Sequence, residues 1–112
     1  MDPTFNLALG LRPGDEPDTV RLDPRVEHQI APGVIHFAVL TTVAEVAAAG
    51  SVGAPVVPAS VSVHLLNRAG LAPLVGRGRL LRKGRRTAVA EGEVMQNGEL
   101  VAKAVVQFAV VS

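Results

Sequence analysis

A chain of 112 residues, 48% apolar and 19% charged, has room for one core and too much apolar surface to remain disordered, so a single domain over residues 1–112 is expected. With no cysteine there is no disulfide framework, thiolate metal site or cysteine nucleophile, and with three Phe but no Tyr or Trp an aromatic cage or base-stacking platform lacks its residues. The net charge of +1 hides a division: residues 1 to 60 hold three Arg against seven acids, and residues 61 to 112 hold eight bases against three acids. Arg68, Arg77, Arg79, Arg82, Lys83, Arg85 and Arg86 share a stretch without any acid. Such a stretch either attracts a phosphate-bearing partner or forms the solvated face of alternating strands. Met1-Asp2-Pro3 lacks the basic and apolar regions of a signal peptide, so the expected location is cytoplasmic.

The first 33 residues are dense in turn formers, with Pro at 3, 13, 17, 24 and 32. Asp2-Pro3 has the form of a helix start, and Thr19 to Leu22, closed by Asp23-Pro24, predicts a short strand. Val34 to Gly50 carries one charged side chain, Glu45, and no Pro. Apolar residues lie on all its faces at helical spacing, which predicts a helix buried nearly all round, opened by Pro32-Gly33 and stopped at Gly50. It is too short for a membrane span of about 20 apolar residues. Beyond a Gly/Pro loop the period is two. Val57 to Leu66 puts Val61, Val63 and Leu65 on one face; Leu74 to Arg82 sets Val75, Arg77 and Arg79 opposite Leu74, Gly76, Gly78 and Leu80.

Thr87 to Met95 and Glu99 to Val111 flank Gln96-Asn97-Gly98, a hairpin signal. A two-residue Asn-Gly turn pairs Met95 with Leu100 but sets Glu91 and Glu93 on the face of Ala102, Ala104 and Phe108. A three-residue loop with Gly98 left-handed instead sets Glu91 opposite Lys103 and gathers Ala88, Ala90, Gly92, Val94, Leu100, Ala102, Ala104, Val106 and Phe108 on one face, and is the expected form. That Ala- and Gly-rich face suits close approach to a helix. The other face, with Val89, Val101, Val105 and Ala109 beside Glu91 and Lys103, is too apolar to face water, which implies a homodimer or tetramer. The fold class is α+β: a curved antiparallel sheet wrapped around one long buried helix.

Several motifs fail on spacing. Gly78 to Gly84 has five intervening residues and no following Lys, unlike a phosphate loop. Ser51 has Ala49 where a nucleophile elbow has Gly. His28, His36 and His64 lack metal-ligand spacing, so no metal is expected, and the Arg stretch lacks the aromatic interleaving of a nucleic-acid surface. Glu45 remains. A carboxylate in an apolar helix is costly to bury unpaired, and its pKa rises when desolvated. It either sits at an exposed edge or pairs with a strand Arg, or it is a general base or nucleophile at a cleft.

Glu27-His28-Gln29-Ile30-Ala31-Pro32-Gly33-Val34-Ile35-His36-Phe37-Ala38, with Glu45 nine positions after His36 and then the strands, resembles the hotdog-fold acyl-CoA thioesterases of the PaaI-like branch. Their pattern is an Asn, then G-x-x-H-G-G opening the helix, then an acid nine residues after the His; Gly84-Arg85-Arg86-Thr87 is similar to their turn of Gly, base and Thr. Ile30 falls at the Asn position, and Phe37 and Ala38 replace the two glycines. The resemblance implies the hotdog fold and hydrolysis of an acyl- or aryl-CoA thioester without a cofactor. It implies Glu45 as catalytic residue, the helix-start amides at His36 and Phe37 as oxyanion donors, and Gln29 or His28 in the water-orienting place of the Asn. Arg82, Lys83, Arg85 and Arg86 would hold the phosphates of CoA. Nine residues at 1.5 Å put Glu45 roughly 13 Å along the axis from His36, so the implied site draws on two subunits of a homodimer or tetramer. No nucleic acid or membrane is expected as partner. The alternatives are a non-catalytic hotdog protein that binds acyl-CoA or a partner chain and, on Pro32-Gly33-Val34, a dehydratase.

Overall fold

The computed structural model describes residues 4–111. In chain order these form helix α1 (Phe5–Leu9), β1 (Arg12–Pro13), β2 (Thr19–Leu22), a 3-10 turn (Val26–His28), β3 (Gln29–Ala31), β4 (Val34–Ile35), helix α2 (Phe37–Gly50), β5 (Val56–Leu65), β6 (Leu74–Lys83), β7 (Thr87–Gln96) and β8 (Glu99–Val110). Six strands make one antiparallel sheet in the order β1-β2-β6-β7-β8-β5, and β3 pairs with β4 separately. Helix α2 lies across β6, β7 and β8. The expected α+β sheet around one long helix is therefore present. Among the described residues no helix is long and apolar enough to cross a membrane.

Side-chain size sets how deep α2 sits. A Cβ added at Gly92 would overlap the carbonyl of Ala44, and one added at Gly78 would overlap that of Ala47. The two glycines are paired across β6 and β7, so the helix backbone rests directly on the sheet backbone there. Around this contact Phe108, Leu22, Leu74, Val43, Val94, Val101 and Val106 are fully buried.

Three expectations are corrected. The helix begins at Phe37 rather than Val34, because Val34 and Ile35 stay extended: the Ile35 amide donates to the Ala69 carbonyl at 2.8 Å, and Pro32-Gly33 form the β3–β4 turn. The helix ends at Gly50, as expected, with Ser51 as its cap. It is not buried all round; Val39, Leu40, Val43, Ala44, Ala47 and Ala48 are buried, while Thr41, Thr42, Glu45, Val46 and Ala49 are only half-buried. The expected start at Asp2-Pro3 lies outside the described residues; α1 is capped by Thr4, whose hydroxyl accepts the Leu7 amide, and closed by left-handed Gly10.

The last correction concerns the β7–β8 hairpin. Its turn has two residues, Asn97 and Gly98, both at positive φ, and pairs Gln96 with Glu99 and Met95 with Leu100. A bulge then inserts Val101, so Val94 faces Ala102 and the alternation recovers. Leu100 thus leaves the inner face and Val101 enters the core. Glu93, not Glu91, is opposite Lys103; Lys103 Nζ still reaches diagonally to Glu91 at 3.4 Å, and Arg79 binds the same carboxylate at 2.8 Å. Burial pushes the Glu91 carboxyl up, but hydrogen bonds from Arg79 and Lys103 prevail and hold it below the usual range. With Val101 inside, the outer face is less apolar than expected. Val105 remains exposed there, and further apolar exposure lies along edge strand β5 and its end, at Val57, Val61, Leu65 and Leu66.

Gly92→Ala should lower unfolding stability by about 1–3 kcal/mol in a urea titration, because α2 must lift from the sheet. Gly50→Ala, with nothing within 4 Å of the added Cβ, should not destabilise. Equal midpoints for the two variants would contradict this packing.

Candidate active site

The start of α2 is built by its N-cap. His36 is extended, its Nδ1 accepts the Ala38 amide at 2.9 Å, and its carbonyl accepts the Val39 amide at 3.0 Å. Its own amide donates to the His28 carbonyl at 2.9 Å, and its ring stacks on Phe37 with centroids 4.6 Å apart. These bonds leave the Phe37 amide without an acceptor among the described residues, at the end of the helix where the dipole favours negative charge. Beside it opens a groove of about 310 Å³, walled by Val34, Phe37, Leu40, Leu65 and Leu66, with Asn67 and Arg68 among its lining. A carbonyl oxygen laid against the Phe37 amide would have its apolar substituent in this groove.

Glu45 lies eight residues beyond Phe37, or roughly 12 Å along the helix axis, and does not line the groove. Burial raises its pKa above the usual carboxylate range. No hydrogen bond or ion pair engages it among the described residues, so the strand Arg considered as a partner is not one. One chain therefore holds an unoccupied amide donor and an unpaired carboxylate that cannot meet on one small ligand.

The two candidates for the Asn role are engaged locally. Gln29 Oε1 accepts the Gly33 amide at 2.6 Å and its Nε2 donates to the Val26 carbonyl, tying the turn that precedes α2. The buried His28 ring accepts the Arg25 amide at Nδ1, and burial followed by the nearby Arg25 charge lowers its pKa. Ile30, in the strand that follows, is 62% exposed.

The basic turn lies at the other end of the helix. Gly76 meets Val43 and Gly78 meets Ala47, so α2 runs along β6 toward Lys83, and the β6–β7 hairpin lies beyond the helix C-terminus. Arg82, Lys83, Arg85 and Arg86 are exposed, and among the described residues none forms an ion pair. Within one chain this hairpin is nearer Glu45 than Phe37. Arg68, noted in the sequence only as one of a basic stretch, belongs to the groove; only the packing of the β5–β6 connection against β4 and α2 reveals it. Among the described residues no three His, Asp or Glu side chains converge to hold a metal ion.

Residues 26–109 match the family model described as the acyl-CoA thioesterase N-terminal domain. The chain belongs to the hotdog-fold acyl-CoA thioesterase family. Among solved structures it is similar to a protein from Thermus thermophilus (27% identity, 99% of this chain and 100% of that one, TM-score 0.85). It is likewise similar to a variant of the phenylacetic acid degradation protein PaaI of the same organism (26% identity, 96% and 98%, TM-score 0.82). A Bacillus halodurans protein crystallised with CoA shares the fold at 19% identity (95% and 74%, TM-score 0.84). No curated protein matches the sequence.

The cap has a measurable consequence. His36→Ala should lower stability by about 0.5–2 kcal/mol by freeing the Ala38 amide, and His36→Asn, which can still accept it, should recover most of the loss in thermal unfolding. Identical midpoints for wild type and both variants would contradict the capping role.

Proposed function

We propose that this protein hydrolyses acyl-CoA thioesters at sites shared between two copies of the chain, each site combining the Phe37 amide of one copy with Glu45 of the other. The observation that carries this reading is that Glu45 is half-buried, unpaired and raised in pKa, yet about 12 Å of helix away from the free amide. A second copy is suggested by β5, a ten-residue edge strand with Val57, Val61 and Leu65 exposed. A long apolar edge calls for a covering strand, and a two-fold pairing of β5 with itself uses one surface twice. Stacking of such dimers into a tetramer is compatible with the same interface.

In the reaction, the thioester oxygen accepts from the Phe37 amide and the partner's Glu45, ionised, takes a proton from water as its oxygen adds to the carbonyl carbon. The tetrahedral oxyanion collapses with cleavage of the C–S bond, and the thiolate leaves with the proton returned by Glu45. A raised pKa makes Glu45 a stronger base than an ordinary carboxylate. Gln29 and His28 act as positioning residues, through the turn and the carbonyl that hold the start of α2. The hairpin cations Arg82, Lys83, Arg85 and Arg86 hold the CoA phosphates, from the same copy that supplies Glu45. The competing reading, a hotdog protein that binds acyl-CoA without hydrolysing it, is separated by turnover itself.

Glu45→Gln should reduce kcat by about 100-fold or more across acyl- and aryl-CoA thioesters. Desolvation raises the folded-state pKa, so the ionised carboxylate opposes folding above that pKa, and the variant should be no less stable than wild type at neutral pH. Wild-type activity should be full above the raised pKa and decline as pH falls through it, at higher pH than an ordinary carboxylate would give. Full activity in Glu45→Gln, or no thioester hydrolysis by wild type, would defeat the catalytic reading.

Assembly and CoA binding are checked separately. Sedimentation should show a dimer or tetramer at micromolar concentration, and a monomer alone would rule out the shared site. Exchanging Arg85 and Arg86 for Glu should weaken CoA binding at low salt, and unchanged affinity would remove the hairpin from the account.

A further inference from the structure

Of the cations on the chain, Arg12, Arg21, Arg25, Arg77, Arg79 and Lys103 are held by carboxylates. The unpaired ones among the described residues separate into two places: the β6–β7 hairpin beyond the C-terminal end of α2, and Arg68 alone at the groove beside its N-terminal end. Arg68 is exposed, donates to no partner among the described residues and lines an otherwise apolar groove that contains no acid. Next to it, Asn67 is anchored by one Nδ2 hydrogen bond to the Leu100 carbonyl at 2.9 Å, which leaves its second amide hydrogen available. A mostly apolar groove lined by Phe37, whose amide has no acceptor among the described residues, and by a fixed amide donor and an unpaired guanidinium is matched by a ligand with a carbonyl, a short hydrocarbon and a terminal anion.

We infer that the acyl groups this groove selects are short and end in a carboxylate, held by Arg68 with Asn67 in support, so that the substrates are CoA thioesters of dicarboxylic acids. The inference rests on the proposed thioesterase site for the position of the carbonyl, and adds the chemistry at the far end of the acyl chain. The groove volume of about 310 Å³ is at the lower end of ligand pockets, which fits a few methylenes between the two ends and no long alkyl tail. Arginine is suited to the task because its planar donor pair matches a carboxylate in bidentate fashion. The same guanidinium could instead meet a CoA phosphate, and the experiment separates the two anions.

The test measures binding by calorimetry with Glu45→Gln protein, in which the thioester survives, so the readout does not depend on turnover. Succinyl-CoA and glutaryl-CoA are compared with butyryl-CoA and pentanoyl-CoA, which have the same chain lengths and the same CoA. Carboxylated ligands should bind at least about tenfold tighter, and adding Arg68→Ala should reduce that ratio to near one, with Arg68→Lys intermediate. Thermal midpoints of the Arg68 variants, at an exposed position, verify that the fold is retained. A ratio near one before Arg68 is changed overturns the inference, and so does an Arg68→Ala that weakens all four ligands equally, which would assign Arg68 to a phosphate. Wild-type turnover of the same four thioesters distinguishes the two levels. Selective binding without hydrolysis of any of them rejects the thioesterase reading and retains the anion site; hydrolysis without selectivity does the reverse.

Discussion

The contact of helix backbone on sheet backbone at Gly78 and Gly92 is the constraint on which the rest depends. Side chains elsewhere in the core keep elements apart, but here Ala44 and Ala47 present their carbonyls to strands that have no Cβ in the way. Helix α2 is thereby pressed into the curve of the sheet along one face, and its other face is left half-buried. A rod held in this way cannot bend to bring its start and its third turn to one point. The free amide of Phe37 and the carboxylate of Glu45 are kept apart by the same packing that stabilises the fold, and completing one site from both ends calls for a second rod running the other way.

Charge is distributed to match. On the outer face of the sheet Glu91 is 8% exposed beneath Arg79 and Lys103, Lys103 also reaches Glu93 at 3.8 Å, and Arg77 pairs with Glu16 of the β1–β2 connection at 3.0 Å. Such pairs hold strands in register but leave no net charge to attract a ligand. Among the described residues, the Arg and Lys side chains that remain unpaired are gathered at the two ends of α2, and the one acid the core helix carries has no counterion. Desolvation of Glu45 works against stability, so folding alone does not account for a carboxylate at this place in the helix.

The sequence made legible what repeats locally. Period-two alternation located the four long strands to within a residue or two, Ala88, Ala90 and Gly92 announced a face with room for a helix, and the lone charge in an apolar run singled out Glu45. Features decided by tertiary partners were not legible. Val34 and Ile35 fit a helical pattern, yet the Ala69 carbonyl draws them into a strand. The hairpin alternation had two solutions, a longer loop or a bulge at Val101, and patterning alone does not choose between them. Gln29 and His28 had the right polarity for work on a water, but the hydrogen bonds that occupy them span a turn whose geometry exists only once folded. Arg68 had no local signal, because its neighbours in the groove come from β4, α2 and the end of β5.

The shared site is tested most directly by mixing two variants that are each defective in a different half. Phe37→Pro removes the amide donor at the first helical position, together with the ring that walls the groove and stacks on His36; proline is tolerated there, and the extended His36 before it already suits a following proline. Glu45→Gln removes only the carboxylate. Each variant alone should be inactive, and co-refolding them in equal amounts should restore about one quarter of wild-type activity, since half of the dimers are then mixed and each has one intact site of two. A mixture as inactive as its parents, with mixed dimers verified by mass, would contradict a site built from two chains.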